Sequence, residues 1–196
     1  MKRDFTKQIA NYIQLEIDTI SRLDHVAINQ VMNILEDARE RGNHIYICGN
    51  GGSAATASHF TGDFNKGVSI TQEKKYKFNC LLENMPTMMA IANDIGYDYI
   101  FEIPLQGKIS KDDVLIAISG SGNSRNVIRA VEYAKQVGAV VIGLTGYDGG
   151  KLYQMADYKL HVPINNMQIT EDIHLIFNHM MMWILTMENK YTGCTR

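Results

Sequence analysis

Cysteine, proline, charge of one sign and long apolar runs are all scarce in this 196-residue chain. Cys48, Cys80 and Cys194 are odd in number and none belongs to a Cys-x-x-Cys pair. Neither a disulfide framework nor a thiolate zinc site is therefore indicated, and a reducing, cytoplasmic setting is expected. Lysine and arginine number 19 against 21 aspartates and glutamates, a formal net charge of −2. Such a balance leaves no general basic footprint for nucleic acid. No stretch approaches the roughly 18 apolar residues of a membrane span, and the opening MKRDFTKQIANYIQLEID has no apolar core of the signal-peptide type. No membrane partner is expected. The three prolines fall in or near proposed element boundaries, and the chain has no internal repeat or linker, so one domain over residues 1–196 is the simplest organisation.

What the chain does have is concentrated in residues 114–129, VLIAISGSGNSRNVIR. An apolar run that reads as a buried strand feeds a glycine- and hydroxyl-rich turn, and a helix is expected from about Asn123. Such a turn directs backbone N–H groups and the positive end of a helix dipole into one small space, which suits an anion. Ser119, Ser121 and Ser124 add three hydroxyls within six residues, enough to meet a phosphate's oxygens without a lysine. The plainer alternative is an ordinary turn in which Ser or Asn caps the helix. Residues 44–60, HIYICGNGGSAATASHF, repeat the arrangement: an apolar run ends in Gly49-Asn50-Gly51-Gly52-Ser53 and a helix-forming segment follows. Two such turns facing one crevice would make a phosphosugar site.

His59 and Asp63 are four residues apart in the helix expected after the first turn, so both project from one face. A histidine and a carboxylate at that spacing can chelate a metal or share a proton. A last helix is expected over about 170–190, with Thr170 or a neighbour as its cap. It carries Glu171, His174, Asn178 and His179 among apolar residues. Glu171 and His179 stand about 80° apart around an ideal helix and could line one groove at different heights. For His174 the structural role, a polar group at the edge of an apolar helix, is preferred.

Residues 4–41 place Ile9, Ile13, Ile17, Ile20, Ile28, Val31, Met32 and Leu35 mostly at three- and four-residue steps, the pattern of two amphipathic helices or one bent one closed by Gly42. Residues 1–42 thus read as a helical arm ahead of a core over 43–196. The apolar face of this arm needs cover, either from its own sheet or across a subunit boundary. Candidate strands at 44–48, 77–82, 114–118, 140–145 and 158–162 alternate with helical segments. Near-continuous apolar strands argue for a parallel sheet covered on both faces, an α/β three-layer sandwich.

Several separated motifs together resemble the sugar isomerase (SIS) domain, and within it the phosphoheptose isomerase branch, which interconverts sedoheptulose 7-phosphate and a heptose 7-phosphate. They are Cys48 to Ser53, His59-Phe60, Ala92-Asn93-Asp94, Ser119 to Ser124, Leu144-Thr145-Gly146 through Lys151, and Ile173-His174 with His179. The resemblance spans about residues 30–188 and implies a five-stranded parallel sheet, a homotetramer with sites at subunit boundaries and, in some members, zinc. It makes Ser53, Ser119, Gly120, Ser121 and Ser124 a phosphate cradle, and Asn50, Gly51, Gly52, Asn93 and Asp94 contacts to the sugar chain. It makes His59 and His179 metal-binding or catalytic histidines. Two positions depart from the pattern: Asp63 stands where the family places a glutamate, and Glu171 where it places a glutamine. With both histidines they would form a two-histidine, two-carboxylate set suited to a divalent ion such as zinc.

The reaction so implied moves a proton between C1 and C2 and another between O1 and O2 through a cis-enediol. Asp63 is assigned as the base, or Glu171 if the metal occupies Asp63, and His179 as the group that moves the oxygen proton, histidine being the side chain suited to proton exchange near neutrality. A competing reading is a non-catalytic SIS module that binds a phosphosugar or a protein partner, against which Asp63 and both histidines argue. A nucleotide-binding reading of Gly49-Asn50-Gly51-Gly52-Ser53-Ala54 fails because Glu73, the acidic residue at the right distance, lies in a polar run and not at a strand end.

Overall fold

Short runs dominated by β-branched and aliphatic residues form five strands: β1 (Ile45–Gly49), β2 (Phe78–Cys80), β3 (Val114–Ser119), β4 (Val140–Thr145) and β5 (Tyr158–His161). All pair in parallel in the order β2-β1-β3-β4-β5. Four strands fall within a residue or so of their expected ranges. The expected strand at 77–82 is shorter, because pairing with β1 runs only from Phe78 to Cys80. The computed structural model describes residues 2–191, so Cys194 lies outside the described residues; Cys48 and Cys80 are free and buried.

The two-residue period of the strands divides the core. Ile45, Ile47, Val114, Ile116, Ile118, Ile142 and Leu144 face one side, and Tyr46, Cys48, Leu115, Ala117 and Val141 face the other. The first side is covered by α2 (His25–Arg41), α3 (Gly52–Gly62) and α8 (Met167–Tyr191), through Leu35, Phe60, Ile173 and Phe177 among others. The second is covered by α4 (Met85–Asp94), α5 (Glu102–Leu105), α6 (Arg125–Gln136) and α7 (Gly150–Met155), through Ile91, Leu105, Val131 and Leu152. This is the three-layer sandwich expected, with helices on both faces of a parallel sheet.

The arm is two helices, α1 (Thr6–Ile20) and α2. Asp24 caps α2 by accepting from the Val26 and Ala27 N–H groups, and Gly42 ends it at φ 74°, the left-handed conformation glycine adopts without penalty. α2 packs on the sheet but α1 does not. Phe5, Ile9, Ile13 and Ile17, a stripe at four-residue steps, are each more than half exposed. α1 touches α8 instead, where the Tyr12 hydroxyl donates to Asp172. Its own sheet therefore covers the α2 part of the arm and leaves the Phe5 to Ile17 stripe exposed.

α8 starts earlier than Thr170. Asn166 is the residue that caps it, accepting from the Ile169 N–H at 3.1 Å, while the Thr170 hydroxyl donates back to the Asn166 carbonyl at 2.7 Å. An asparagine side chain at that point outcompetes a threonine already inside the first turn. His174 is fully buried, not at an edge, with Nε2 3.3 Å from the Thr145 carbonyl.

Burial lowers the His174 pKa to about 4. The unfolded chain takes up this proton near pH 6.5 and the folded chain does not, so the contribution is complete above pH 6.5 and is lost as pH falls toward 4. The loss is on the order of 3 kcal/mol. Denaturant midpoints measured between pH 7.5 and 4.5 are expected to fall more steeply for the wild type than for His174→Gln. Parallel slopes would contradict this reading of His174.

Candidate active site

The strand order reverses direction between β1 and β3, and in open parallel sheets the crevice beyond the carboxyl ends of two such strands is where ligands bind. β1 ends at Gly49 and β3 at Ser119, on adjacent strands in register. The two glycine- and serine-rich turns therefore meet at this one crevice. A cavity of about 170 Å³ there is lined by Asn50, Ser53, Ser119, Gly120, Ser121, Ser124 and Glu171, with Ile118 and Met167. Larger clefts of about 370 and 490 Å³ lie elsewhere, but none of the candidate site residues lines them.

Among the described residues, neither N-cap residue of the two helices that start at this crevice caps its helix through a side chain. α3 follows Gly51 at φ 55°, and α6 follows Ser124, whose hydroxyl meets Ser119 Oγ at 3.1 Å instead of the helix. Ser124 is thus not the plain cap of the alternative reading. The leading N–H groups of the two helices and the hydroxyls of Ser53, Ser119, Ser121 and Ser124 share one small space, although the Val127 N–H of α6 is taken by the Asn126 side chain at 2.9 Å. Gly122, at φ 66°, brings the second turn against the loop before α7: a Cβ there would lie 1.9 Å from the Gly149 carbonyl oxygen. The Asn50 amide is held by a reciprocal pair with Asn126, at 2.9 and 2.8 Å, and accepts from the Tyr97 hydroxyl at 2.8 Å. Asn93 and Asp94 are exposed at the end of α4, bonded to each other at 2.7 Å, and do not line the cavity. Their segment reaches the first turn through Tyr97.

A second group of side chains lies further along α3. His59 Nε2 is 2.9 Å from His179 Nε2 and 3.2 Å from Asp63 Oδ2, and His179 Nε2 is 3.9 Å from the same oxygen. These atoms form a group that can hold a metal ion. Two nitrogens and an oxygen bound to zinc at 2.0–2.2 Å in tetrahedral geometry are about 3.3 Å apart, which lies within this range of separations. Three protein ligands with a further open position are typical of catalytic zinc sites, so the residues present fit such an ion. Asp63 also accepts from the buried Asn178 amide at 2.7 Å. A π-helical turn, Asp63–Val68, continues α3 at this point, a local widening common near functional sites.

Glu171 does not join this group. Its carboxylate stands over the start of α3, where a Cβ on Gly52 would come within 2.3 Å of Oε2. Contacts of Gly52 with Glu171 and of His59 with His179 mean that α3 and α8 run side by side in the same direction. Each helix leads from the crevice to the histidine pair. His59 is seven residues beyond Gly52, a rise of about 10 Å.

A SIS-domain sequence profile matches residues 8–146. The phosphoheptose isomerase of Aliarcobacter butzleri is 37% identical over 180 residues, covering 92% of this chain and 90% of the relative. The chain belongs to the phosphoheptose isomerase family. The structures of family members from Neisseria gonorrhoeae and Francisella tularensis superpose with a TM-score of 0.85 each, at 29% and 30% identity. The alignments cover 93% and 94% of this chain and 98% and 100% of theirs. The family is one of isomerases, and the SIS fold is that of the five-stranded sheet described above. Among the described residues no helix is long and apolar enough to cross a membrane. Sequence reasoning missed Asn126, Tyr97 and the contact of Asn178. Only Asn178 carried a signal, a polar residue on the apolar side of α8.

Gly52→Ala forces Glu171 away from the cavity by about 1 Å, a displacement that is expected to lower isomerase kcat/KM roughly 100-fold. Gly62→Ala, whose Cβ meets nothing within 4 Å, is the control and is expected to leave kcat/KM unchanged. Equal effects of the two changes would contradict the close approach of Glu171 to Gly52.

Proposed function

We propose that this chain interconverts sedoheptulose 7-phosphate and a heptose 7-phosphate as an aldose–ketose isomerase, with one zinc ion per site. The observation that carries this reading is the distance between the two ends of the α3–α8 pair. A seven-carbon chain of roughly 1.5 Å bonds, extended from a phosphate on C7, sets C1 and C2 about 10 Å from the phosphorus. That matches the rise from Gly52 to His59.

The phosphate lies in the crevice. The N–H groups that begin α3 and α6 and the hydroxyls of Ser53, Ser119, Ser121 and Ser124 hold it, with Gly120 supplying close backbone approach. It does not react, so its binding energy can be used to orient the distant end. Asn50, Gly51 and Gly52 line the path of the sugar hydroxyls, with Asn93 and Asp94 entering from the end of α4. Glu171 lies about 12 Å along α8 from His179, so Asp63 keeps the role of base even as a ligand: through its other oxygen it removes the proton from the carbon next to the carbonyl and returns it to the neighbouring carbon. His179 moves the proton between O1 and O2. Glu171, above Gly52, binds hydroxyls nearer the phosphate. His59, Asp63 and His179 would hold the ion, which when bound polarises the carbonyl and stabilises the negative charge that grows on oxygen.

A homotetramer is part of this proposal. The stripe Phe5, Ile9, Ile13 and Ile17 and the exposed Trp183 are apolar surface that a second copy would cover. The arm over 1–42 and the core over 43–196 then work as one domain, in a cytoplasmic setting that suits the free thiols of Cys48 and Cys80. A non-catalytic sugar-phosphate sensor has no use for Asp63 placed between two histidines.

Asp63→Asn keeps the shape of the side chain and removes the base. Turnover of sedoheptulose 7-phosphate is expected to fall by at least about 100-fold, while the dissociation constant for the same sugar, measured by calorimetry, changes less than about threefold. Near-normal turnover would reject the assignment of Asp63 as base.

A further inference from the structure

The buried face of α8 is apolar at Ile169, Ile173, Phe177, Met181 and Leu185, yet Asn178 lies within it with no exposure. Its Nδ2 donates to Asp63 Oδ2 at 2.7 Å, and among the described residues its Oδ1 is buried with no partner. An amide left half unsatisfied in an apolar layer is costly, and an aliphatic residue would fill the position without that cost. The orientation is fixed by charge: turned over, the amide would set its oxygen against the Asp63 carboxylate. The single contact that accounts for an amide here is therefore the one to Asp63.

We infer that Asn178 is a positioning residue that lets the short carboxylate of Asp63 serve in this site. The inference rests on the proposed function. An aspartate carboxylate sits about 1–1.5 Å further back on its helix than a glutamate carboxylate would, the length of one methylene. Asn178 holds it from behind. Among the described residues the polar contacts of the Asp63 carboxylate, to Asn178, His59 and His179, all converge on Oδ2. With Oδ2 anchored, the plane of the carboxylate is set and Oδ1 is left for other work. Asn178 also precedes His179 on the same helix, so one backbone segment fixes the positions of both groups. The pair spans 115 residues of sequence and joins the α3 end to α8 at the place where the histidines meet.

The test is a double-mutant cycle of Asn178→Leu with Asp63→Glu, read by zinc affinity of metal-stripped protein, by kcat and KM, and by Tm. In the wild-type background Asn178→Leu is expected to weaken zinc binding and lower kcat, each by 10–100-fold, as the loss of an outer partner of a metal-site carboxylate does. KM should change less than about threefold, and the metal-free Tm should stay within about 4 °C of the wild type. In the Asp63→Glu background, where the longer side chain no longer needs the anchor, the same change should cost less than about threefold. Asn178→Ala should repeat these results if the leucine variant does not fold. Unchanged zinc affinity and kcat in the wild-type background, or equal losses in both backgrounds, would overturn the inference. Zinc affinity needs no substrate, so a wild-type chain that left sedoheptulose 7-phosphate unchanged would count against the isomerase reading and still leave Asn178 tested.

Discussion

The close, same-direction packing of α3 against α8 is the constraint on which the rest of this site depends. It sets the crevice at the switch point of the sheet at one end and the pair His59 and His179 at the other, so that two chemical tasks are held a fixed distance apart. Small residues make the packing possible. Gly52 admits the Glu171 carboxylate, and Gly67, in the π-helical turn after α3, admits Met182: a Cβ there would come within 2.5 Å of its terminal methyl. Interiors packed this tightly transmit any shift of one helix to the other. A site divided between two helices therefore stays in register without ligands on flexible loops.

The sheet supplies the other half of the account. Alternate strand residues fill two separate cores, and the order β2-β1-β3-β4-β5 leaves the ends of β1 and β3 side by side. Phosphate recognition of the proposed kind then needs no cationic side chain. Uncapped helix starts and serine hydroxyls converge because two parallel neighbours end at the same level. In the proposed reading fixed dipoles hold the anion, Glu171 is the charged group in the cavity lining, and Asp63, His59 and His179 lie at the reacting end.

Much of this was legible in the sequence, for reasons that can be named. The apolar runs marked the strands because a doubly covered parallel strand has no polar face. The repeated strand, glycine turn and helix marked the crevice, and the four-residue step from His59 to Asp63 is a local property of any helix. The rest depended on contacts distant in sequence. Asn178 was one polar residue among the apolar ones of the last helix until Asp63, 115 residues away, lay against it. Asn50 was read for its place in the turn, but its pairing with Asn126 and Tyr97 had no local signature. The four-ligand set was a matter of resemblance, and Glu171 separated from it because eight residues of helix carry it about 12 Å from His179. The cap of α8 moved to Asn166 because competing caps are decided by where the preceding chain enters. The arm's face stayed open between two covers, and the structure packs α2 on the sheet while the Phe5 to Ile17 stripe stays exposed.

The central claim is that His59, Asp63 and His179 form a metal-assisted isomerase centre for a sugar whose phosphate sits at the far end of α3. It is tested most directly by turnover of sedoheptulose 7-phosphate with metal-stripped protein before and after one equivalent of zinc, with the heptose product followed over time. The account predicts little turnover before zinc and restored turnover after it. Tight binding of the sugar phosphate with no product at any zinc level would contradict it.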